Sequence, residues 1–343
     1  MQDTGSWGPL GAVVSALSGV LPVRTMGNVL ADLNRLASRR TTVPGLASVT
    51  NGLRWETGDE NVTYWTPQGI TGSGDSVAGT VGGRRVVLVS WYYGGAAPDK
   101  GVRIAVVDVT SIASPTYRFA LLVEPYMNGT RPDFRAVRIH AGGLVWYGDL
   151  LYVPDTGNGF RVFDMAHMFQ VSTANDTIGY SAGSYYAYQY KYVIPQVGAY
   201  QQISRCRPGY SFAALDRAST PPSIVTGEYA AGSPLGRLFR WPLDAASGHL
   251  AGSPYVIPTE AFYSGQNNIQ GAVPAYGNWL LSSSAPAGGA GALYSVGPGA
   301  SRTFAWSDSP EDVYIDVSTG QLWSLSEAVG ARYVFSRPVT DYR

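Results

Sequence analysis

The chain has 343 residues, including 42 glycines and 22 prolines, and carries 24 basic and 24 acidic side chains. Glycine and proline together far exceed the roughly 12% of an average protein, which excludes a mostly helical chain. With 45% hydrophobic and only 14% charged residues, the chain is not disordered. No basic run is longer than Arg39–Arg40, so we expect no nucleic-acid partner.

Residues 1–45 form an N-terminal extension whose pattern differs from the rest. Apolar side chains recur at helical spacing in MGNVLADLNRLASRR, residues 26–40. Thr25 is placed to cap the start, and Arg39 and Arg40 suit the C-terminal end of the helix dipole. This predicts a short amphipathic helix. The apolar stretch from Leu10 to Val23 is too short and too rich in glycine and serine to span a bilayer, so we expect no membrane partner.

From about residue 47 onward, short β-branched and aromatic runs alternate with turn residues, which predicts one all-β domain over 46–343. Three kinds of run recur in order. A polar residue beside a small one precedes the first run, at 68–70, 140–144, 211–213, 270–272 and 311–313. Middle runs lie at 85–91, 150–154, 223–229, 279–284 and 321–326. Third runs follow Gly101, Gly159, Gly236, Gly291 and Gly330.

This repetition predicts a β-propeller. Five blades are favoured, and six remain open because the second and third units are long enough to contain another. A β-sandwich does not explain repeated patterns that stay in phase.

A ring propeller also needs closure. We expect LASVTNGLRW (46–55) and RYVFSRPV (332–339) to share one blade, with the N-terminal helix outside the ring.

Two segments resemble known propeller repeats. LLYVPDTGNGFRVFDM (150–165) resembles an NHL-type repeat, in which a strand, an Asp-rich turn and an Arg-containing strand follow one another. KGVRIAVVDVTSIASPTYRFALLV (100–123) resembles an LVIVD-type repeat, with Asp108 and Pro115 in the matching turn. These resemblances imply a propeller fold and leave the chemistry open.

In a propeller the innermost strands begin at one mouth of the central channel, where polar residues of different units meet. The predicted catalytic residues are His140, Glu311 and Asp312. The predicted substrate-binding residues are Trp65, Gln68, Arg205, Tyr210 and Gln270. Aromatic rings stack on sugar C–H faces while polar groups bind hydroxyls, so the mixture suits a carbohydrate. The alternative is that the polar residues cap strands and bind channel water, while the aromatic residues fill the core.

Two classes of function follow. The first is a glycan-active enzyme, either a hydrolase or a lyase. A hydrolase needs two carboxyl groups about 5.5 Å apart for retention or about 6.5–9.5 Å for inversion, so Glu311 would need a second acid such as Asp75 or Asp155. A lyase would use His140 with Tyr210, and Arg205 or Arg207 would neutralise a uronate. The second class is a non-catalytic, lectin-like or protein-binding propeller. The mouth positions are dissimilar, which favours one unique site.

The sequence contains no P-loop, G-x-S-x-G, H-E-x-x-H or EF-hand motif, and it has three histidines and one cysteine. We therefore expect no cofactor. The oxygen-rich turn from Asp155 to Asn158 leaves calcium open, although it also matches a hairpin turn. A low-charge composition rich in Tyr, Trp, Gly and Ser is common among extracellular bacterial proteins, so we expect a secreted monomer whose signal segment has been removed.

The segment from Tyr185 to Tyr192 alternates tyrosines at strand spacing. It predicts a single outer strand with Tyr186, Tyr188, Tyr190 and Tyr192 on one face.

Overall fold

The structure is a computed structural model that describes residues 1–76, 79–286 and 288–343. The elements of its N-terminal part are β1 (Gln2–Asp3), α1 (Trp7–Ser18), β2 (Val23–Arg24), α2 (Met26–Leu30), β3 (Arg35–Leu36), β4 (Ser38–Arg39), β5 (Asn51–Arg54) and α3 (Thr57–Asn61). The helix predicted over 26–40 is wrong beyond Leu30, because β3 and β4 occupy its second half. Thr25 does cap α2, since its hydroxyl accepts the Asn28 N–H while the Asn28 side chain accepts the Thr25 N–H.

Tertiary contacts end α2 where helical spacing alone would continue it. The Asp32 carboxylate accepts hydrogen bonds from Lys191 at 2.6 Å and from Tyr192 at 2.8 Å. The next residues, β3, pair with Tyr117 and Thr116. Ion pairing and strand pairing therefore outweigh the periodicity of Leu33 and Leu36.

The remainder of the chain is a series of antiparallel meanders in which successive strands pair. The first contains β6 (Trp65–Gly72), β7 (Val86–Tyr93), β8 (Val102–Asp108), β9 (Thr116–Asn128) and an added β10 (Arg131–Ala136). The second contains β11 (Val145–Tyr147), β12 (Leu150–Asp155), β13 (Gly159–Asp164), β14 (Met168–Gln170), the hairpin β15 (Ile178–Ser181) and β16 (Ser184–Ala187), and β17 (Tyr192–Gln201). These two meanders share one sheet, because β17 pairs in parallel with β9.

Three further meanders follow. They are β18 (Phe212–Asp216), β19 (Ser223–Gly227), β20 (Arg237–Pro242) and β21 (Glu260–Tyr263); then β22 (Ile269–Ala275), β23 (Asn278–Ser283), β24 (Ala290–Gly297) and β25 (Ala300–Asp308); then β26 (Pro310–Asp316), β27 (Gln321–Ser326) and β28 (Tyr333–Pro338), before a 3-10 turn at Val339–Tyr342. The predicted middle runs coincide with β7, β12, β19, β23 and β27, and the predicted third runs with β8, β13, β20, β24 and β28. The repeated-strand prediction is confirmed.

The last meander is completed by an N-terminal strand. β5 pairs antiparallel with β28, placing Arg54 opposite Tyr333 and Asn51 opposite Ser336. The predicted sharing of one sheet by the two ends of the domain is therefore confirmed. The edge of β5 is in turn covered by β4, part of the segment predicted to be helical.

The first strands of the meanders contact one another in a closed ring. β6 contacts β26 and β11, β18 contacts β11 and β22, and β22 contacts β26. Glycine permits this approach: a Cβ on Gly69 would lie 2.6 Å from the Gly143 carbonyl carbon, and one on Gly271 would lie 2.8 Å from the Val313 nitrogen. The small residues of the repeated pattern thus pack the centre of a propeller-like, all-β ring.

The periphery holds the helices and the tyrosine-rich segment. α1 packs on β9, β10 and β17 and buries Val14 and Leu17. The single strand predicted over the tyrosines is wrong, because β16 ends at Ala187 and the chain turns at Tyr188 and Gln189, whose φ angles are 50° and 69°. Across the described ranges, no helix has both the length and the apolar character to cross a membrane.

Candidate functional site

The innermost strands all begin at one end of the ring, and we call this end the mouth. Its positions lie just before the backbone segments that contact one another at the centre: Gln68, His140, Ser211, Gln270 and Glu311. The arrangement links neighbouring units directly. The Ser90 hydroxyl accepts the Gly69 N–H at 2.8 Å and donates to the Ala141 carbonyl at 2.7 Å, which fixes the strand of Gln68 beside the segment of His140.

Two carboxyl groups lie in contact at the mouth. Glu311 is 2% exposed, and its carboxyl group is hydrogen-bonded to that of Glu327, which follows β27. Each carboxyl also receives an amide donor: Gln68 Nε2 donates to Glu327 Oε2 at 2.7 Å, and Gln270 Nε2 lies 3.3 Å from Glu311 Oε1. We call Glu311 and Glu327 the carboxyl pair.

The carboxyl pair holds a proton more tightly than ordinary glutamates do. Burial raises the pKa of Glu311 well above its usual value, and the nearby Glu327 and Asp312 raise it further. Burial also raises the pKa of Glu327, while the Gln68 amide and the Arg332 guanidinium oppose that rise. Two adjacent carboxylates resist ionising together. Glu311 is thus placed as the protonated member and the half-buried Glu327 as the member that faces the mouth.

Arg332 fixes the position of Glu327. Its Nε donates to the Glu327 carbonyl at 2.9 Å, and its Nη1 donates to the carbonyls of Asp59 at 3.0 Å and Val62 at 2.7 Å. The side chain is 1% exposed, and burial lowers the pKa of Arg332 to about 10. Arg332 therefore joins the last meander to the segment around α3 and holds the backbone of Glu327 in place beneath the carboxyl pair.

His140 is the accessible titratable group at the mouth. Its ring packs on Tyr92, with the ring centres 4.6 Å apart, while the residue remains exposed. The surrounding protein lowers the pKa of His140 from 6.5 by desolvation. The imidazole is therefore neutral at pH 7 and able to accept a proton.

Other predicted site residues lie away from the mouth surface. Asp312 is fully buried at the centre of the ring, where its Oδ2 accepts the Ile70 N–H at 3.1 Å. Trp65 is buried against Arg103, whose guanidinium lies 4.6 Å from the ring centre. Tyr210 is buried and stacks on Phe160 at 5.9 Å. The structure thus gives Trp65 a packing contact within the first meander and Tyr210 one between the second and third meanders.

Arg205 and the two further acids considered for hydrolysis have separate positions. Arg205 is exposed in the loop before β18, which leads into the mouth. Asp75 is buried beyond the other end of β6, where its Oδ2 accepts the Thr71 hydroxyl at 2.7 Å. Asp155 pairs with Arg161 Nε at 2.9 Å in the hairpin turn considered for calcium. In the part of the chain that the structure describes, no three His, Cys, Asp or Glu side chains converge as a metal site.

Glu327 is the mouth residue that the sequence analysis missed. Its position follows from strand pairing: Ser326 at the end of β27 lies opposite Pro310 at the start of β26. The residue after a middle strand therefore returns to the mouth. The signal in the sequence was the run QLWSLS directly before Glu327.

Comparison with known proteins gives distant structural similarity alone. No family model matches the chain, and no curated protein matches it. Among solved structures, the chain is similar to the PQQ-bound form of aldose sugar dehydrogenase from Streptomyces coelicolor, with 12% sequence identity and a TM-score of 0.38. The match covers 89% of this chain and 96% of that chain. A similarity of this size assigns no activity and no cofactor.

Proposed function

We propose that this chain is a secreted five-bladed β-propeller enzyme that acts on a carbohydrate at the mouth, by elimination on an acidic sugar. The observation that supports it most directly is the proton-holding pair Glu311 and Glu327, bracketed by the amides of Gln68 and Gln270. The blade count rests on treating each meander as one blade, with β5 completing the last.

The geometry of the carboxyl pair favours elimination over hydrolysis. Glycoside hydrolysis by two carboxyl groups needs about 5.5 Å or more between them, so that a sugar or a water fits in the gap. Carboxyl groups that are hydrogen-bonded to each other lie much closer, since such bonds join oxygens about 2.5–3.0 Å apart. The pair therefore acts as one acid, and a separate group must be the base.

In the proposed reaction, neutral His140 removes the proton next to the carboxylate of a uronate. The electrons form a carbon–carbon double bond as the bond from the ring to the glycosidic oxygen breaks, and the carboxyl pair donates its proton to that leaving oxygen. No water is consumed. Arg205, exposed in the loop before β18, would supply a positive charge for the uronate carboxylate. Gln68 and Gln270 orient the pair.

The test is incubation with uronate-containing polysaccharides and with neutral polymers of similar size. Elimination yields products that absorb ultraviolet light and whose masses sum to that of the substrate, whereas hydrolysis adds one water. We expect E327Q, E311Q and H140A each to reduce turnover by about 100-fold or more, the usual range for one acid or base group. E260Q is the control, because Glu260 lies exposed on β21, where it pairs with Arg240.

Three outcomes would overturn the proposal. Hydrolysed products would exclude elimination. Full turnover in E311Q and E327Q would remove the carboxyl pair from the reaction. Retention of a polymer without any product would establish the binding-only alternative.

A further inference from the structure

A polar cavity lies on the rim of the first meander, away from the mouth. It has a volume of about 330 Å³, near the lower end of ordinary small-ligand sites. Its lining comes from β3, β9 and the turn before β17: Asn34, Arg35, Arg118, Phe119, Tyr188, Gln189, Tyr190 and Lys191. Three of these eight side chains are cationic and none is acidic.

The cations are held in place by carboxylates outside the cavity wall. Lys191 donates to Asp32 at 2.6 Å, Arg118 lies 3.3 Å from the other oxygen of Asp32, and Arg35 pairs with Asp59 at 3.1 Å. The contacts with Lys191 and Arg118 lower the pKa of Asp32, with the Lys191 hydrogen bond as the largest cause. Asp32 and Asp59 thus orient the cations without lining the cavity.

The cations retain donors beyond those used by the two aspartates. An ammonium has three N–H donors and a guanidinium has five. Among the described residues, Lys191 makes one side-chain hydrogen bond, and Arg35 bonds Asp59 through Nε and Asn34 through Nη1. The buried Arg103, 4% exposed and 3.2 Å from Asp59, adds further positive charge behind Phe119. The Glu56 carboxylate offsets part of this positive charge. It lies beside β3, where it accepts a hydrogen bond from the Leu36 N–H.

The aromatic members of the lining add a second kind of surface. Phe119, Tyr188 and Tyr190 also line the cavity. Tyr188 and Gln189 do so from consecutive left-handed backbone conformations, at φ 50° and 69°, which residues with a Cβ seldom adopt. Such conformations cluster at ligand sites. Rings suit the C–H face of a sugar, and the cations suit a carboxylate.

We propose that this cavity binds one acidic sugar unit, its carboxylate held by Lys191, Arg118 and Arg35 and its ring packed on the tyrosines. This binding site goes beyond the proposed mouth chemistry and does not depend on it. If the mouth acts on a uronate polymer, the cavity is a place where a distant unit of that polymer is held. The ligand class follows from charge, volume and aromatic lining together.

The test uses calorimetric titration with methyl glucuronide, methyl glucoside, sulfate and phosphate. We expect methyl glucuronide to bind with one site per chain, at least 10-fold more tightly than the neutral glucoside and than either inorganic anion. K191M should weaken it at least 10-fold. The control is R337M, because Arg337 also pairs with an aspartate, Asp341, at 2.8 Å, and neither residue lines the cavity. R337M should leave binding unchanged.

The double variant E311Q/E327Q separates this site from the mouth. Binding of methyl glucuronide that persists there and is lost in K191M supports the cavity, even if no polymer is ever cleaved. Binding lost in the mouth variant but kept in K191M overturns the proposal. So do equal effects of R337M and K191M, equal affinity for glucoside and glucuronide, equal affinity for sulfate or phosphate, and absence of saturable binding.

Discussion

The closed centre of the ring is tested by Gly69→Ala. The added Cβ would lie 2.6, 2.7 and 2.9 Å from the carbonyl carbon, Cα and nitrogen of Gly143. Carbon atoms in contact sit about 3.5–4.0 Å apart, so β6 and the segment before β11 must separate by about 1 Å. Overpacking costs about 1–3 kcal/mol, and a backbone neighbour places this case near the upper end. Alanine also has less conformational freedom than glycine in the unfolded chain, which offsets about 0.4–1 kcal/mol of this loss.

We therefore expect Gly69→Ala to lower the free energy of unfolding by about 2 kcal/mol, measured by urea titration followed through tryptophan fluorescence. Gly157→Ala is the control, because an added Cβ there meets nothing within 4 Å and the glycine does not need a positive φ. It should be neutral or slightly stabilising. If the two variants unfold at the same urea concentration, the inner strands are not in backbone contact and the mouth residues are not brought together as described.

Three other perturbations test separate parts of the fold. Leu53→Ala removes a fully buried side chain from β5, the strand that completes the last meander, and should lower the free energy of unfolding by about 2–5 kcal/mol. Leu36→Ala, at an exposed position, should leave that free energy almost unchanged. Equal unfolding curves for the two variants would contradict the pairing of β5 with β28. Burial raises the pKa of Asp75 to about 8, so the folded protein loses stability as the pH rises from about 4 to about 8. In urea titrations, Asp75→Asn should therefore be more stable than the unchanged protein at pH 8 but not at pH 4. An identical dependence of stability on pH in the two proteins would show that Asp75 is ionised in the folded state. Thr25→Ala removes the cap of α2 and should lower the free energy of unfolding by about 1 kcal/mol, a loss that thermal unfolding would detect.

The repeated strands could be predicted because the apolar runs and the turns that bound them are local in sequence. Features decided by distant contacts could not. The helix pattern after Leu30 is overridden by Lys191, about 160 residues further along the chain. The tyrosine alternation is broken at Tyr188, where backbone conformation rather than side-chain spacing sets the direction of the chain.

The residues of the candidate site also divide into those marked by local sequence and those placed by distant contacts. Gln68, Gln270 and Glu311 were predicted because the repeat itself marks where inner strands begin. Glu327 was missed because it follows a middle strand, and only strand pairing returns it to the mouth. Trp65 was predicted to bind ligand because an aromatic side chain near a polar one suits a sugar and a core equally well, and the structure gives it core contacts.

The pairing of β5 with β28 bears on how the protein is made. Asn51 and Ser336 are hydrogen-bonded across 285 positions of the chain, so the fourth strand of the last meander is synthesised long before its partner. Until residues 333–338 leave the ribosome, β5 has only the short β4 beside it, and the nascent ring stays open with two unsatisfied edges. Contacts of such long range form slowly, and open edges invite pairing with other chains. The bond that closes the ring can therefore form only after Ser336 has been synthesised, and the open edges favour aggregation until then.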